Sequence, residues 1–507
     1  MHNLHPIDLC IIGLYFLATL CMGFYFSRKN KSTDEYFVGG RSYKGWVLGL
    51  SMMSTTISSV TFLAFPAAAF ALDWRMAINY LTWPVGMLVA VLWFIPFVRR
   101  RHATTVFDYL HERFGPLTCL YGVVLFELME FIRLGIVLYI IGLAISALTG
   151  FSLPLVIIVV GLVISVYTIT GGFDGVVWTD VIQSFVLWLG GFLCIGLVLT
   201  KMPGGWQEAF RIAWQNEKFS VGSMHFNLSE RTFWTMMILG VIASIGNFTT
   251  SQHVIQRYLA AKDLKEARRG AIVGALTSMP TWLLFFLIGT LLWSFYKVFP
   301  DKALEGVAAE QVFPHFILTQ FPPGLLGLVL AGVFAAAMSS LDSSINAIST
   351  VTVSNVFRRY LPGRTEEYYL KAAHVVGIVC AIWMILCALL FCLFPSQESV
   401  IDMQTSLFSI VGGAFFGIFL CGFLSTRIHY QATLVAILLC FLLNLYLGAN
   451  SLGWLPKAVT IPVHSYWTGT IVNLAFCLFA WLISLLWPKP QKPLDGLTVW
   501  SSKKNDG

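Results

Sequence analysis

The chain alternates between long apolar runs and short polar segments from one end to the other. A helix needs about 20 mainly apolar residues to cross the hydrocarbon core of a bilayer, and these runs have that length. They lack the period-2 alternation of a membrane β-barrel. The pattern therefore predicts an all-α polytopic membrane protein, because helices and closed barrels are the structures that satisfy their backbone in lipid. Thirteen transmembrane helices are predicted, near residues 7–27, 45–70, 77–98, 117–147, 152–172, 177–200, 231–249, 271–297, 323–351, 369–394, 402–424, 430–449 and 466–488.

Composition agrees with this pattern. Hydrophobic residues make up 57% of the chain and charged residues 11%, and the mean hydropathy is +0.77. Soluble domains carry about 25% charged residues, so we expect a lipid bilayer to surround most of the chain. The net charge of +7 follows the membrane segments and gives no reason to expect a nucleic-acid partner.

The distribution of basic residues predicts the orientation. With the N-terminus outside, 23 of the 32 Lys and Arg residues fall in inside segments, Arg257 among them, and eight fall outside. Because cytoplasmic segments carry the excess of Lys and Arg, we expect an inner (plasma) membrane protein with its C-terminus in the cytosol. The predicted organisation is an extra helix with a cytosolic loop (1–44), a first five-helix repeat (45–200), an outer loop (201–230), a second inverted repeat (231–424), two extra helices (425–488) and a cytosolic tail (489–507).

Two spans contain hydroxyl-rich stretches at mid-membrane depth. They cover residues 49–61 of the second span and residues 243–252 of the seventh, five spans later. Hydroxyls can satisfy backbone groups that an unwound helix frees. Interrupted helices at matching positions in two halves indicate an inverted-repeat transporter. The alternative is that these Ser and Thr residues only let helices pack closely.

Polar residues also cluster in the ninth span. Ser339, Asp342 and Ser343 lie on one helical face at i, i+3 and i+4, with Ser340 beside it. Sodium is a hard cation, and such cations take several oxygen ligands. A second carboxylate, Asp180, begins the sixth span, and ionisable groups within membrane helices indicate an ion or substrate path. The alternatives are a structural hydrogen bond for Asp342 and an interfacial helix cap for Asp180.

Arg133 lies midway along the fourth span. Its guanidinium could hold an anionic substrate in bidentate fashion. Glu130, three residues earlier on the same face, could instead neutralise it locally. The sequence leaves both readings open.

Four separated segments resemble the sodium:solute symporter family, a resemblance that extends from about residue 7 to 490. They are residues 34–41, 171–183, 252–258 and 339–344. The resemblance implies a leucine-transporter-like fold of five plus five inverted helices with flanking helices, and alternating access. It also implies a principal sodium site of the backbone oxygens of Ser54, Ile57 and Ala336 with the hydroxyls of Ser339 and Ser340.

The resemblance further implies a second sodium site, similar to that of the sialic acid members, and a substrate pocket. The second site would comprise Asp180, Ser339, Asp342 and Ser343. The family member aligned has a serine at the position of Asp342, so the site here would hold two carboxylates and would bind sodium more tightly or accept a proton. The predicted pocket comprises Thr56, Ser58, Thr61, Met76, Tyr80, Arg133 and Asn247.

The substrate expectation follows from the pocket. Thr56, Ser58, Thr61 and Arg133 match the sialic acid transporters, whose arginine holds the substrate carboxylate, whereas Met76 and Tyr80 do not match. We therefore expect sodium-coupled symport of a small carboxylate such as sialic acid. The alternatives are sodium- or proton-coupled uptake of a neutral sugar or another monocarboxylate and, in another class, a membrane solute sensor. The chain offers no nucleophile–base or metal set within a span, so we do not expect an enzyme.

Overall fold

The computed structural model describes residues 4–28, 32–100, 104–393, 400–486 and 494–500. Within these ranges the protein is helical, with no β-strand. Among the described residues, ten helices are long and apolar enough to cross a membrane. Two bent helix pairs also pass this test, so the number of spans is twelve if each pair is counted as one span. The prediction of an all-α polytopic protein is confirmed. Most of the predicted tail, 489–507, and the end of the predicted tenth span, residue 394, lie outside the described residues.

The first half of the chain forms eleven α-helices within the described residues. In chain order they are α1 (Pro6–Ser27), α2 (Thr33–Val38), α3 (Gly45–Thr56), α4 (Phe65–Ala71), α5 (Ala77–Leu81), α6 (Trp83–Val89), α7 (Ile95–Arg99), α8 (Phe107–Phe114), α9 (Pro116–Thr149), α10 (Leu153–Lys201) and α11 (Gly205–Gln215).

The second half continues the numbering. Its helices are α12 (Phe233–Thr250), α13 (Gln252–Ala260), α14 (Leu264–Val298), α15 (Ala309–Gln320), α16 (Leu325–Thr352), α17 (Arg358–Tyr360), α18 (Glu366–Leu393), α19 (Val400–Val411), α20 (Phe415–Leu424), α21 (Tyr430–Ser451) and α22 (Trp467–Ser484).

Helix α10 is interrupted at Gly172. At 1.5 Å per residue, its 49 residues would extend about 70 Å, more than twice the roughly 30 Å hydrocarbon core of a bilayer. Gly172 has φ 57° and ψ −158°, outside the helical region, a conformation that glycine adopts without a Cβ clash. Thirteen spans follow only if α10 is counted as two on this basis, so the number thirteen stays a prediction.

The first predicted helix break is present in the structure. Helix α3 ends at Thr56, the chain is non-helical near Ile57, and the helix that resumes at Val60 is bent by 61°. Hydroxyls lie at this bend as expected: Thr56 Oγ1 donates to the Met53 carbonyl at 2.9 Å, and Ser58 Oγ accepts from the Val60 N–H at 3.2 Å.

The second predicted break lies at Ser251, whose extended backbone separates α12 from α13. The sequence pattern placed residues 250–270 outside the spans, but α13 forms there and all nine of its residues are buried. A third break was not predicted. Helices α19 and α20 meet at 54° near Gly413, whose φ is 49°.

Helix α16 forms the centre of the bundle. Nearly all of its side chains are buried, and it packs against α10, α9, α1 and α3. Asp8 of α1 caps its first turn, because Asp8 Oδ1 accepts from the N–H groups of Gly324 and Gly327 at 2.7 Å each. Further along α16, the hydroxyls of Ser339 and Ser340 bond to the carbonyls of Ser54 and Thr55, so its polar face lies against the end of α3.

Candidate cation and substrate site

The hydroxyl of Ser339 faces the helix break. Its Oγ lies 2.9 Å from the Ser54 carbonyl oxygen, 3.5 Å from that of Ile57 and 3.3 Å from that of Ala336. The Ser54 and Ile57 carbonyls belong to the unwound end of α3 and have lost part of their helical bonding. All of these residues are 0–1% exposed. The structure thus gathers three carbonyls and one hydroxyl of the predicted principal site in one buried place.

Ser340, the fifth residue of that site, lies beside this group. Its Oγ donates to the Thr55 carbonyl at 3.2 Å, whereas Ser339 reaches the neighbouring Ser54. The two adjacent hydroxyls of α16 thus bond to adjacent carbonyls of α3. The oxygens around Ser339 make a set suited to a hard monovalent cation, and the Thr55 carbonyl beside them also accepts from Arg133 Nη2 at 2.8 Å.

The predicted second site contains a residue that the sequence pattern did not place there. Arg257 of α13 is 1% exposed, and its Nη2 lies 2.9 Å from Asp180 Oδ2 and 2.9 Å from Ser343 Oγ. The same guanidinium donates to Ser51 Oγ at 2.8 Å and Thr55 Oγ1 at 2.6 Å. The expectation that Arg257 lies in an inside loop is wrong, because α13 carries it into the core.

The second carboxylate is Asp342 of α16, which directly precedes Ser343. Its Oδ2 accepts from Tyr167 Oη at 3.0 Å. The other oxygens, Asp342 Oδ1 and Asp180 Oδ1, are buried and have no hydrogen-bond partner among the described residues. When both carboxylates are ionised, the two carboxylates and one guanidinium leave this buried cluster one positive charge short of neutrality, which a sodium ion or a proton would supply. Buried charges are costly unless paired, so the arrangement suits one further cation.

Arg133 contacts the break rather than lying free in a pocket. Its Nη2 donates to the Thr55 carbonyl at 2.8 Å, and its Nη1 lies 3.9 Å from Glu130 Oε1. Glu130 is closer to His253 of α13, whose Nε2 lies 2.8 Å from the same Oε1. The two readings that the sequence left open both remain, since the Arg133–Glu130 contact is present but long.

The other predicted pocket residues divide into two groups. Thr56, Ser58 and Thr61 lie at the break, where Thr56 Oγ1 also approaches Ser278 Oγ at 3.3 Å. Asn247, in α12, has a buried Nδ2 with no hydrogen-bond partner within the described ranges, which leaves a donor for a ligand.

Met76 and Tyr80 lie on a different surface. The Tyr80 ring packs between Phe65 and Trp282, with centroids at 4.8 Å from each. Met76 lines a cavity of about 1430 Å³, together with Arg75, Arg231 and the loop residues 229–232. This cavity lies between the break and the loops of the side that we predict to be outside.

Sequence reasoning missed Arg257, Ser51 and Thr55 as members of the cluster. Ser51 and Thr55 were within the hydroxyl-rich stretch, one turn apart and on the same helical face. That spacing was the available signal that side chains of α3, and not only its backbone carbonyls, face a polar partner.

Comparison with known proteins decides the family. The sequence profile of the sodium:solute symporter family matches residues 36–440. The chain belongs to that family. This confirms the resemblance in the four segments, and it makes the protein a multi-pass membrane transporter and not an enzyme.

Members of the family similar to this chain include two bacterial symporters. The sodium/sialic acid symporter of Proteus mirabilis is 34% identical over 442 residues, covering 86% of this chain and 88% of that protein. The sodium/sialic acid symporter of Aliivibrio fischeri is 31% identical over 425 residues, covering 83% and 84%.

A solved structure has the same fold as this chain. The substrate-bound outward-open state of a Na⁺-coupled sialic acid symporter superimposes with a TM-score of 0.88 and 30% identity, covering 97% of this chain and 100% of that one. The structure of that symporter contains a novel Na⁺ site.

Proposed function

We propose that this protein is a sodium-coupled symporter that takes up a small organic acid, with sialic acid as the first candidate, by alternating access. One observation carries the proposal. The Ser339 hydroxyl lies within 3.5 Å of three main-chain carbonyls from two helices, at a helix break. Na⁺ inserted among these oxygens would join α16 to α3, so that ion binding would act on the relative position of the two helices.

The principal sodium site in this proposal comprises Ser54, Ile57, Ala336, Ser339 and Ser340. A second sodium ion would bind between Asp180, Asp342, Ser339 and Ser343, beside Arg257. Both carboxylates have a buried oxygen without a hydrogen-bond partner among the described residues. The extra carboxylate, Asp342, favours a cation there because Arg257 alone balances only one of the two charges.

The substrate would bind on the outer side of the break. Thr56, Ser58, Thr61 and Asn247 supply hydroxyl and amide groups, and Arg133 supplies the positive charge for a carboxylate. Met76 and Tyr80 would form the apolar wall toward the outer cavity. The two bacterial relatives and the solved structure are sialic acid symporters, which supports sialic acid as the first acid to test.

The proposal includes the orientation and the repeat boundaries. The N-terminus would lie outside the inner (plasma) membrane and the C-terminus in the cytosol, with inverted repeats at residues 45–200 and 231–424. A cysteine introduced at Met224, which is 59% exposed, would then react with a membrane-impermeant thiol reagent from outside in intact cells. Reaction only after the cells are opened would contradict this orientation.

The experiment that tests the function is uptake of labelled N-acetylneuraminate into proteoliposomes. An inward sodium gradient should drive accumulation, and a proton gradient in potassium medium should not. Pyruvate and glucose, as competitors in excess, separate the alternatives of a monocarboxylate or a neutral sugar. Uptake that is indifferent to sodium would refute sodium coupling. Stronger inhibition by pyruvate or glucose than by the same excess of unlabelled N-acetylneuraminate would reassign the preferred substrate.

A further inference from the structure

One buried carboxylate, Glu130, is shared between two cationic side chains from different helices. His253 Nε2 lies 2.8 Å from Glu130 Oε1, and Arg133 Nη1 lies 3.9 Å from the same oxygen. Glu130 is 7% exposed and His253 is 3% exposed. The shorter contact joins α9 to α13, and the longer contact lies within α9.

The charge of this group depends on what binds at Arg133. With His253 neutral, the positive charge of Arg133 and the negative charge of Glu130 cancel. A carboxylate ligand on Arg133 adds one negative charge, and Glu130 then lies close to that ligand with no cation of its own. Uncompensated charge in a site away from water is unfavourable. Protonation of His253 restores neutrality, because the imidazolium then pairs with Glu130 at the contact that already exists.

We propose that a carboxylate substrate binds at Arg133 together with one proton, which is taken up by His253. The inference rests on the proposed function, since it needs an anionic ligand at Arg133. The proton comes from water and no covalent bond in the substrate changes. Both ring nitrogens of His253 are buried and neither has a hydrogen-bond partner in the described part of the chain. Glu130 Oε1, 2.8 Å from Nε2, is the carboxylate that would stabilise the protonated ring.

The other charged groups near His253 do not replace it in this role. On α9, Glu127 Oε1 accepts from Thr352 Oγ1 at 2.7 Å. On its own helix, Arg257 donates to the His253 carbonyl at 2.8 Å and pairs with Asp180. On α7, Arg99 donates to the carbonyls of Tyr258 and Ala261.

Two further carboxylates on elements that pack against α13 are also engaged. Asp342 of α16 accepts from Tyr167, and Glu266 of α14 accepts from the Gly45 N–H. Glu130 is therefore the carboxylate in direct contact with the His253 ring among the described residues.

The test measures protons taken up per ligand bound. Calorimetric titration of the sodium-saturated protein with N-acetylneuraminate, in buffers of different ionisation enthalpy, gives this number at each pH. At the alkaline end of the pH range, where His253 is neutral before the acid binds, we expect close to one proton, and at the acid end, where the free protein already carries that proton, we expect close to none. Where one proton is taken up per ligand bound, linkage requires the affinity for the acid to fall about tenfold for each unit by which the pH rises.

Three variants complete the design. His253→Gln and Glu130→Gln should both bind the acid with no proton uptake and with an affinity that is flat from pH 6 to 8. His374→Gln is the matched control, since His374 lies on α18 against the Tyr36 ring, and it should behave as wild type. If His253→Gln is unstable, Glu130→Gln tests the same pair.

The outcomes separate the inference from the function on which it rests. Wild-type binding without proton uptake, or undiminished uptake in both variants, would overturn the inference alone. Absence of any sodium-dependent binding heat with N-acetylneuraminate or another organic acid would overturn the proposed function and this inference with it.

Discussion

Arg257 and Asp180 form an ion pair at 2.9 Å in the centre of the bundle, with side chains 1% and 0% exposed. Arg257 comes from α13, just beyond the break at Ser251, and Asp180 comes from the second part of α10. The guanidinium therefore lies among the oxygens for which the sequence predicted a second sodium ion. Any cation that binds there is added beside Arg257, and it is Asp342 that supplies the additional negative charge.

Replacing Arg257 by Gln should destabilise the protein strongly. It would leave Asp180 buried without its partner, a change that typically costs about 3–5 kcal/mol. The thermal melting temperature in detergent, with and without sodium, measures the effect. Arg211→Gln is the control, because Arg211 pairs with Glu208 on the exposed α11 and should melt as wild type. An Arg257→Gln protein as stable as this control would show that the Arg257–Asp180 ion pair does not contribute to stability.

Ser339→Ala and Ser340→Ala should each weaken sodium activation of uptake. Loss of one hydroxyl ligand to a charged group corresponds to about 1.5–3 kcal/mol, or roughly tenfold or more in the half-saturating sodium concentration. Ser349→Ala is the control on the same helix, since Ser349 is 1% exposed and lies outside the proposed site. Wild-type sodium affinity in both site variants would refute the principal site.

The second site is tested by Asp342→Ser. With serine there, Arg257 and Asp180 already cancel, so the electrostatic gain from a second sodium ion falls. We expect the half-saturating sodium concentration to rise at least about tenfold, since two unit charges 4 Å apart attract by about 4 kcal/mol at an effective dielectric constant of 20. Asp301→Ser is the control, because Asp301 pairs with His315 outside the proposed site. Unchanged sodium dependence in Asp342→Ser would remove Asp342 from the site.

Much of this site could be predicted because its signals are local. The hydroxyl-rich stretch around Ser54 and the face shared by Ser339 and Ser343 are visible as polar residues within apolar runs. The break near Gly413 was missed because the residues around it are small and apolar, and such a bend is determined by packing.

Arg257 was missed for a different reason. Its partner Asp180 is 77 positions away, and in the sequence Arg257 belongs to a polar segment that resembles a cytosolic loop. Only the docking of α13 into the core shows that this charge is buried. The same misplaced loop concealed the contact between His253 and Glu130.

Gly289→Ala tests the packing that holds the broken helix. A Cβ at Gly289 would overlap the Pro66 carbonyl, so α14 and α4 would have to separate. Overpacking of this kind typically costs about 1–3 kcal/mol, and we expect a lower melting temperature and slower uptake. Gly196→Ala in α10 is the matched control, because no atom lies within 4 Å of its Cβ position, and alanine favours the helix there. Equal melting temperatures for the two variants would contradict the close approach.

Arg133 is the residue on which the substrate class depends. In Arg133→Ala a carboxylate would lose a charge-assisted bond worth about 1.5–3 kcal/mol, so KM for the acid should rise roughly 10- to 100-fold. Arg133→Lys should recover part of this, since lysine keeps the charge and loses the bidentate geometry. Both variants also lose the Arg133 bond to the Thr55 carbonyl, so sodium affinity must be measured beside KM. A large rise in KM for the acid with near-normal sodium affinity supports a contact between Arg133 and the substrate. A loss of sodium affinity with unchanged KM would instead show that Arg133 stabilises the helix break.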